Sequence, residues 1–361
     1  MRRALVAALL LSAACYRPKI PDGAFMCGPG GLCPDGYVCN TLMMCAKPGG
    51  GADLAGGDDT LFSGKVGALE LAGTTGTLKV STKTGEITID DGVMVTSIFP
   101  PSVDGFTIVN QNGGPPVAVW AFSRVDIPAT VTVRPTSESE AIPVFATMND
   151  LTMSGTMDWR TFGGFGNLKG MPGSSKMSGV DSGGGAGGPS GGGGGGGGYS
   201  DVGVMGMGTD GGTGGQSYGT PDLMPVHTGS GGGGGGDNGG GRGGNGGGAV
   251  VLIAAGALTV EGKIDVSGSN GVPGGPLPGG GGGGGSGGSI FLSGMTVPLN
   301  TGHELVARGG PGGAPHGTGS PGGDGAAGRI WIGGQISASG GVVADPMETQ
   351  SATPVGTFPA P

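Results

Sequence analysis

The chain has 361 residues, of which 94 are glycine and 27 are proline, about a third of the total. That share is typical of low-complexity sequence, yet apolar residues still make up 35%, enough to build a core from parts of the chain. Charged residues are 12% and the formal net charge is −9, which excludes the highly charged class of disordered protein. There is no basic patch with interleaved aromatic residues, which argues against nucleic acid as a partner.

The N-terminus predicts an export signal over residues 1–14. Arg2 and Arg3 are followed by an apolar run, 4–11, and then by small residues that end at Ala14. The apolar run is about half of the roughly 20 residues needed to span a bilayer, so a permanent transmembrane helix is not expected.

The residues around Cys15 decide how the exported chain is expected to be held. Leu11-Ser-Ala-Ala-Cys15 resembles the lipobox of bacterial lipoproteins, except that Ser12 occupies the usual leucine place. The resemblance implies that Cys15 is diacylated and anchors the chain in a membrane. Tyr16, where aspartate would signal inner-membrane retention in that family, implies the outer membrane. The alternative is an ordinary signal peptide with Cys15 incidental.

Four further cysteines follow with five residues between neighbours: Cys27, Cys33, Cys39 and Cys45. An even number in an exported chain predicts two disulfides, whose pairing the spacing leaves open. Zinc is the competing interpretation, but structural zinc sites place ligands closer together and no histidine lies nearby. The segment 27–39 resembles the compact cysteine-rich, EGF-like modules of secreted proteins.

Two segments more than a hundred residues apart are almost the same: Leu151-Thr-Met-Ser-Gly-Thr-Met-Asp158 and Leu258-Thr-Val-Glu-Gly-Lys-Ile-Asp265. Their alternating apolar and polar residues predict β-strands, and their repetition predicts stacked units of one architecture. Further strand patterns occur at 65–71, 77–81, 86–90, 106–110, 117–133, 289–306 and 329–337. No stretch between 61 and 159 sustains a helical period.

Residues 117–340 resemble the glycine-rich surface proteins of Gram-negative bacteria that are built on a pectin-lyase-like parallel β-helix. The resemblance implies an all-β fold, a right-handed parallel β-solenoid preceded by a small disulfide-rich module. A separate small β-sandwich is the alternative for 61–160. The expected organisation begins with a signal peptide (1–14), a lipidated N-terminus with the Cys-rich module (15–47) and a linker (48–60). A β-rich region with the first solenoid rungs (61–162) is followed by a glycine-rich excursion (163–248). Further rungs with glycine-rich loops (249–340) and a tail (341–361) complete the chain.

Three glycine-rich tracts, 163–248, 268–288 and 309–328, interrupt the strand patterns, and the first includes eight consecutive glycines, 191–198. One interpretation is flexible surface loops, because ordering glycine costs more backbone entropy than ordering any other residue. The other is polyproline II helices packed side by side, with three residues per turn and exposed backbones that pair with each other. Tips of phage adhesins and the glycine-rich domain of one receptor kinase family resemble the second arrangement. A collagen period and tandem calcium-binding nonapeptides are absent.

Catalytic, cofactor and metal residues are not predicted. The three histidines, His227, His303 and His316, are isolated and are expected in solvated loops. Trp120, Trp159 and Trp331 fit a sugar-binding stripe or core packing.

Acidic residues on the predicted rungs are Asp150, Asp158, Glu261 and Asp265, with Arg160 and Lys263 nearby. The repeat predicts that Asp158 and Asp265 stack in a ladder. Solvated strand ends are the expected explanation of that ladder, and a catalytic carboxylate pair is the competing one.

The sequence therefore predicts a non-enzymatic cell-envelope lipoprotein of the outer membrane, with a structural or adhesive surface role and no cofactor. Its expected partners are the membrane, through the lipid anchor, and a glycan or a cell-surface protein. The alternative is a carbohydrate-active β-helix enzyme, a polysaccharide lyase or hydrolase. Ice binding by flat polyglycine arrays is a third and less favoured hypothesis, because regular threonine ladders are scarce.

Overall fold

The computed structural model describes most of the chain beyond residue 66 and four short strand segments: 67–160 except 138, 179, 183–300, 303–339, Val38–Cys39, Cys45–Ala46, Val343–Asp345 and Thr349–Ser351. The chain divides into two compact units, Met1–Asp58 and Asp59–Pro361, and the division lies within the linker predicted at 48–60. The described residues contain no helix, so the fold is all-β.

Twenty strands are present among the described residues. In chain order they are β1 (Val38–Cys39), β2 (Cys45–Ala46), β3 (Leu69–Glu70), β4 (Gly76–Val80), β5 (Ile87–Asp90), β6 (Val95–Phe99), β7 (Phe106–Val109), β8 (Val117–Phe122), β9 (Val125–Ile127), β10 (Val131–Pro135), β11 (Ile142–Thr147), β12 (Leu151–Met153), β13 (Thr156–Asp158), β14 (Ala249–Val260), β15 (Lys263–Asp265), β16 (Ser289–Asn300), β17 (Glu304–Val306), β18 (Arg329–Ser339), β19 (Val343–Asp345) and β20 (Thr349–Ser351). In the first unit, β1 pairs antiparallel with β2.

The second unit is built on two sheets whose strands pair mainly in parallel. One has the order β19-β17-β15-β13-β10-β4-β5-β6, and the other follows the path β20-β18-β16-β14-β11-β8-β7, with β3, β9 and β12 alongside. Antiparallel pairing is confined to the N-terminal end, where β5, β6 and β7 join the sheets. From β13 to β20, successive strands alternate between the two sheets as the chain advances.

The repeated octapeptide pairs in the register that its sequence predicts. Leu151 lies opposite Leu258 and Asp158 lies opposite Asp265. The strand patterns at 289–306 and 329–337 continue the same stack through β16 and β18. The predicted stacking of the two repeated segments is therefore confirmed, because equivalent residues of the repeat pair with each other.

The core consists of apolar side chains that repeat at the same position on successive strands. Trp120 on β8 stacks on Phe145 of β11 with ring centroids 5.6 Å apart. Phe291 on β16 stacks on Trp331 of β18 at 4.4 Å. Because β8 and β11 are buried along their whole length, they lack polar alternation, and apart from Thr147 at the end of β11 they contain no polar side chain.

In the second unit, three strands were not predicted. β6 escapes detection because Val95 is exposed and most of the strand faces solvent. β19 and β20 lie in the segment expected to be a tail, where they extend the two sheets.

The glycine-rich tracts form ten extended segments that run beside one another. We number them I to X in chain order: 183–189, 191–198, 203–207, 211–216, 229–236, 239–248, 268–274, 279–288, 309–314 and 319–328. Their backbone N–H groups donate to carbonyl oxygens of neighbouring segments, not to their own. Segments II, V and VIII are buried throughout their length.

Two segments lie at the centre and eight form a ring around them. Segment II is hydrogen-bonded to I, III, IV, V, VIII and X, and segment VIII to II, V, VI, VII, IX and X. The eight outer segments are bonded to each other in the closed order I, IV, III, X, IX, VII, VI, V and back to I. We call this arrangement the glycine bundle.

Hydrogen-bond partners within segment II repeat every third residue. Gly194 and Gly197 both donate to segment VIII, at Gly281 and Gly284, each with an N···O distance of 2.9 Å. Between them, Gly195 donates to segment I and Gly196 donates to segment III. Three residues per turn is the period of the polyproline II helix.

The central positions require glycine because no room exists for a Cβ. A Cβ built on Gly194 would overlap the carbonyl oxygen of Gly233, and one on Gly283 would overlap that of Gly195. The Cα hydrogens that occupy these directions therefore face carbonyl oxygens, as in weak Cα–H···O contacts. The uninterrupted glycine runs lie where six neighbouring backbones converge.

Gly194→Ala is expected to lower the free energy of unfolding by at least about 3 kcal/mol, the upper end for overpacked sites, because the obstructing atoms are backbone. Urea unfolding of the purified chain measures this. Amide hydrogen exchange should show loss of protection in segments II and VIII before the strands are affected.

Gly275→Ala is the matched control. Its Cβ would lie 3.6 Å from the Gly239 carbonyl oxygen, an ordinary contact, and its φ is outside the left-handed region. This change should be neutral or stabilise by about 0.4–1 kcal/mol through the unfolded chain. Equal stability of the two variants would contradict the packing of the glycine bundle.

Candidate functional site

The stacked carboxylates form the clearest cluster of charged side chains among the described residues. Asp158 ends β13 and Asp265 ends β15, and parallel pairing of these strands places them side by side. Asp158 is 4% exposed and Asp265 is 5% exposed. The expectation of solvated strand ends is therefore wrong for both residues.

Cations from three neighbouring strands and loops neutralise the two carboxylates. Arg134 Nη2 on β10 lies 2.9 Å from Asp158 Oδ2, and Arg160 Nε lies 2.9 Å from Asp158 Oδ1. Arg160 also lies 3.7 Å from Asp265 Oδ2, which Lys263 Nζ approaches to 3.4 Å. We call this row of ion pairs, which Lys263 extends to Glu304 on β17 at 3.1 Å, the charge ladder.

The charge ladder holds the Asp158 carboxyl in its ionised form. Burial raises the pKa of Asp158, but the hydrogen bond from Arg160 and the charges of Arg160 and Arg134 outweigh it and leave that pKa below its usual value. The same hydrogen bond raises the pKa of Arg160. A general acid needs a raised carboxyl pKa, so Asp158 is not suited to donate a proton near neutral pH.

The other two acidic candidates do not join the charge ladder. Asp150 Oδ1 accepts a hydrogen bond of 2.8 Å from the backbone N–H of Ala257, beside the irregular register in β14. Glu261 accepts one of 2.9 Å from the Ser154 hydroxyl. Both contacts connect successive strands of the stack. Within the described residues, no group of three or more histidine, cysteine, aspartate or glutamate side chains is arranged to hold a metal ion.

The tryptophans belong to the core. Trp120, Trp159 and Trp331 are each 3% exposed or less, so a surface stripe for sugar binding is not formed. His303 is buried, contrary to the expectation of a solvated loop, whereas His316 is exposed.

Of the cysteines, Cys39 and Cys45 lie in described strands. They are direct partners in the antiparallel register of β1 and β2. Cys15, Cys27 and Cys33 lie outside the described residues, as do the predicted signal peptide and lipidation site.

A buried polar cluster that sequence reasoning missed joins the glycine bundle to the sheets. The Tyr199 hydroxyl lies 2.6 Å from the Ser289 hydroxyl of β16, and Ser289 donates to the His227 carbonyl at 2.5 Å. Arg329 of β18 lies over the Tyr199 ring, 5.4 Å from its centroid, and donates to the Tyr218 carbonyl at 3.2 Å. The sequence signal for this cluster was the presence of two tyrosines, Tyr199 and Tyr218, within glycine-rich sequence.

The outer segments expose side chains at regular intervals. Segment IV and its leading residue expose Asp210, Thr213 and Gln216, and segment IX with its leading residue exposes Arg308, Pro311 and Ala314. Three residues rise by about 9 Å in a polyproline II helix, so such side chains form evenly spaced rows on a fixed backbone. Those rows are what the glycine bundle offers to a partner.

Comparisons with protein-family models, with curated proteins and with solved structures gave no significant match. A search of the described part of the chain for a helix long and apolar enough to cross a membrane also gave none.

Asp158→Asn is expected to lower the free energy of unfolding at pH 7 by about 1 to 3 kcal/mol. The loss is smaller than for a fully buried pair because Arg134 and Arg160 are about half exposed. Because the pKa of Asp158 is lowered in the folded state, its contribution is complete above the usual value of 3.8 and is lost as the pH falls below it.

Urea unfolding at several pH values measures this difference, which should narrow below about pH 4. Asp104→Asn is the control, because Asp104 is exposed and forms no ion pair with another described residue. A difference between wild type and Asp158→Asn that persists unchanged to low pH would show that the charge ladder does not stabilise the fold.

Proposed function

We propose that this chain is a non-enzymatic lipoprotein of the bacterial outer membrane with a structural or adhesive role at the cell surface. A right-handed parallel β-solenoid carries a bundle of polyproline II glycine segments, and Cys15 carries the lipid. The observation that supports this most directly is the closed ring of eight segments around two central glycine runs.

The glycine bundle suits display because it combines stiffness with a regular surface. Free glycine-rich sequence behaves as a flexible coil, whereas these segments are fixed by hydrogen bonds on several sides. A partner that binds the exposed rows does not have to order the backbone, so less binding free energy is lost.

The charge ladder supports a structural role over the carbohydrate-active alternative. Glycoside hydrolysis uses one protonated and one ionised carboxyl group on either side of the scissile bond. At the charge ladder, Asp158 is held ionised and both carboxylates are ion-paired side by side. Such pairs connect successive strands and thereby fix their stacking.

The proposal includes a disulfide between Cys39 and Cys45. Directly opposed residues in an antiparallel pair have Cα atoms about 4.5–5.5 Å apart, within the range that a disulfide bridges.

Anchoring is tested by expressing the chain in a Gram-negative host with labelled palmitate. Wild type should carry label and fractionate with the outer membrane, whereas Cys15→Ser should be unlabelled and soluble in the periplasm or medium. Tyr16→Asp is the control for sorting, since it should keep the label but move to the inner membrane. Equal labelling of wild type and Cys15→Ser would contradict the anchor.

Adhesion is tested by the retention of cells on immobilised glycans and on cultured cells. Cells that display wild type or Gly275→Ala should be retained above cells lacking the protein. Cells that display Gly194→Ala should lose this retention because the bundle surface is disrupted. Equal retention of all four would refute the adhesive role, and release of reducing or unsaturated sugars from glycans would favour the enzyme.

A further inference from the structure

One edge of the glycine bundle carries a group of exposed apolar side chains on segment III and the residue before it. Val202, Val204, Met205 and Met207 are between 53% and 62% exposed. Exposed carboxylates lie at both ends of this row, Asp201 before it and Asp210 after it. We call these six residues the acidic face.

The far edge of the bundle also exposes apolar side chains, but with the opposite charge. Val272 of segment VII is 46% exposed and Leu277 in the following turn is 56% exposed. Arg242 of segment VI is exposed next to Val272, and Arg308, before segment IX, is exposed at the start of segment VII, where its carbonyl accepts a hydrogen bond from the Gly268 N–H. We call these four residues the basic face.

The two faces point away from each other because the central segments lie between them. In the closed order of the ring, segments III and VI are four steps apart in either direction. Segment III bonds to II through Gly193, II bonds to VIII through Gly194, and VIII accepts from VI at Gly280. Both faces are therefore at the same height along the bundle, on opposite sides of it.

The charges on the two edges are separated by sign. Val272 donates its N–H to the Arg242 carbonyl at 2.7 Å, which fixes one apolar and one basic residue of the basic face next to each other. The nearest carboxylate along segment VI, Asp237, is turned toward Gly191. Among the described residues, Arg242 forms no ion pair within the chain.

We infer that the acidic face of one copy of this chain binds the basic face of a second copy. Each face has apolar side chains bordered by charge, as in protein–protein interfaces with an apolar centre and a polar rim, and the two rims have opposite signs. Two acidic faces would bring Asp201 and Asp210 of both copies together, which like charge disfavours. An anionic lipid surface is disfavoured at the acidic face for the same reason.

Contacts between different faces are heterologous, so an open assembly of any size still has one free acidic face at one end and one free basic face at the other. Such contacts propagate into open chains unless a rotation closes them into a ring. The rigid bundle backbone keeps the faces on opposite sides, which favours the open chain. Self-association depends only on the bundle surface. It can therefore be tested separately from lipid anchoring and adhesion, and its failure would not affect the proposed function.

Sedimentation velocity of the soluble mature chain, made as Cys15→Ser, tests this over a range of concentrations. Species larger than a dimer should accumulate as the concentration rises. Met205→Lys with Met207→Lys disables the acidic face, and Arg242→Glu with Val272→Lys disables the basic face. Each variant alone should remain monomeric, with self-association weakened by at least about tenfold.

Mixing the two variants gives the decisive result. Each retains one intact face, so an equimolar mixture should form a heterodimer and nothing larger. Formation of this heterodimer also shows that both variants are folded. Met295→Lys, which changes an exposed methionine of β16 outside the bundle, should leave self-association unchanged.

Four results would overturn the inference. Wild type could remain monomeric at every concentration, or the mixture could fail to form a heterodimer. The basic-face variant could still dimerise, which would indicate pairing of two acidic faces. Binding of monomers to phosphatidylglycerol vesicles that is lost in the basic-face variant would instead assign that face to a membrane.

Discussion

The structure depends on how closely two polypeptide backbones can approach when neither carries a side chain. At most positions of the central segments, the Cα hydrogen that takes the place of a Cβ faces a backbone carbonyl, and a Cβ there would overlap it. This approach lets six neighbours surround one segment and lets its N–H and C=O groups pair in several directions. Glycine is usually the least favourable residue to order, and here its hydrogen bonds and close contacts offset that entropic cost.

The sheets and the glycine bundle need each other. Segments VI, VIII and X run directly into β14, β16 and β18, so the stacking of these three strands places those segments in neighbouring rows. Tyr199 and Arg329 then fix the bundle against the sheets through buried hydrogen bonds. The charge ladder fixes the stack from the opposite sheet, where Arg160 contacts both Asp158 and Asp265.

Much of the sheet architecture could be predicted because its signal is carried by side chains. The repeated octapeptide predicted the register between β12 and β14 and between β13 and β15, including the stacking of Asp158 on Asp265. The environment of those carboxylates could not be predicted, because Arg134 comes from a strand outside the repeat. β6 was missed because an exposed hairpin strand lacks the buried alternation that marks the others.

The neighbours within the glycine bundle were beyond prediction for a different physical reason. Glycine has no side chain whose pattern could specify a partner, so nothing in segment II indicates that it lies beside segment VIII. The strands that flank each glycine-rich tract determine which segments become neighbours. What the sequence does contain is the spacing of exposed residues such as Asp210, Thr213 and Gln216, which is a consequence of three residues per turn.

The ring around segment II joins residues that are far apart in the chain. Gly323 of segment X donates to Gly194, so the ring closes only when 129 later residues have arrived. Contacts of such sequence separation slow folding, because loop closure must precede the interactions that stabilise it. A chain that crosses a membrane unfolded, N-terminus first, therefore exposes its central glycine run until secretion is almost complete. For the export proposed above, assembly of the bundle would be among the last events, and a chain truncated before segment X would never complete it.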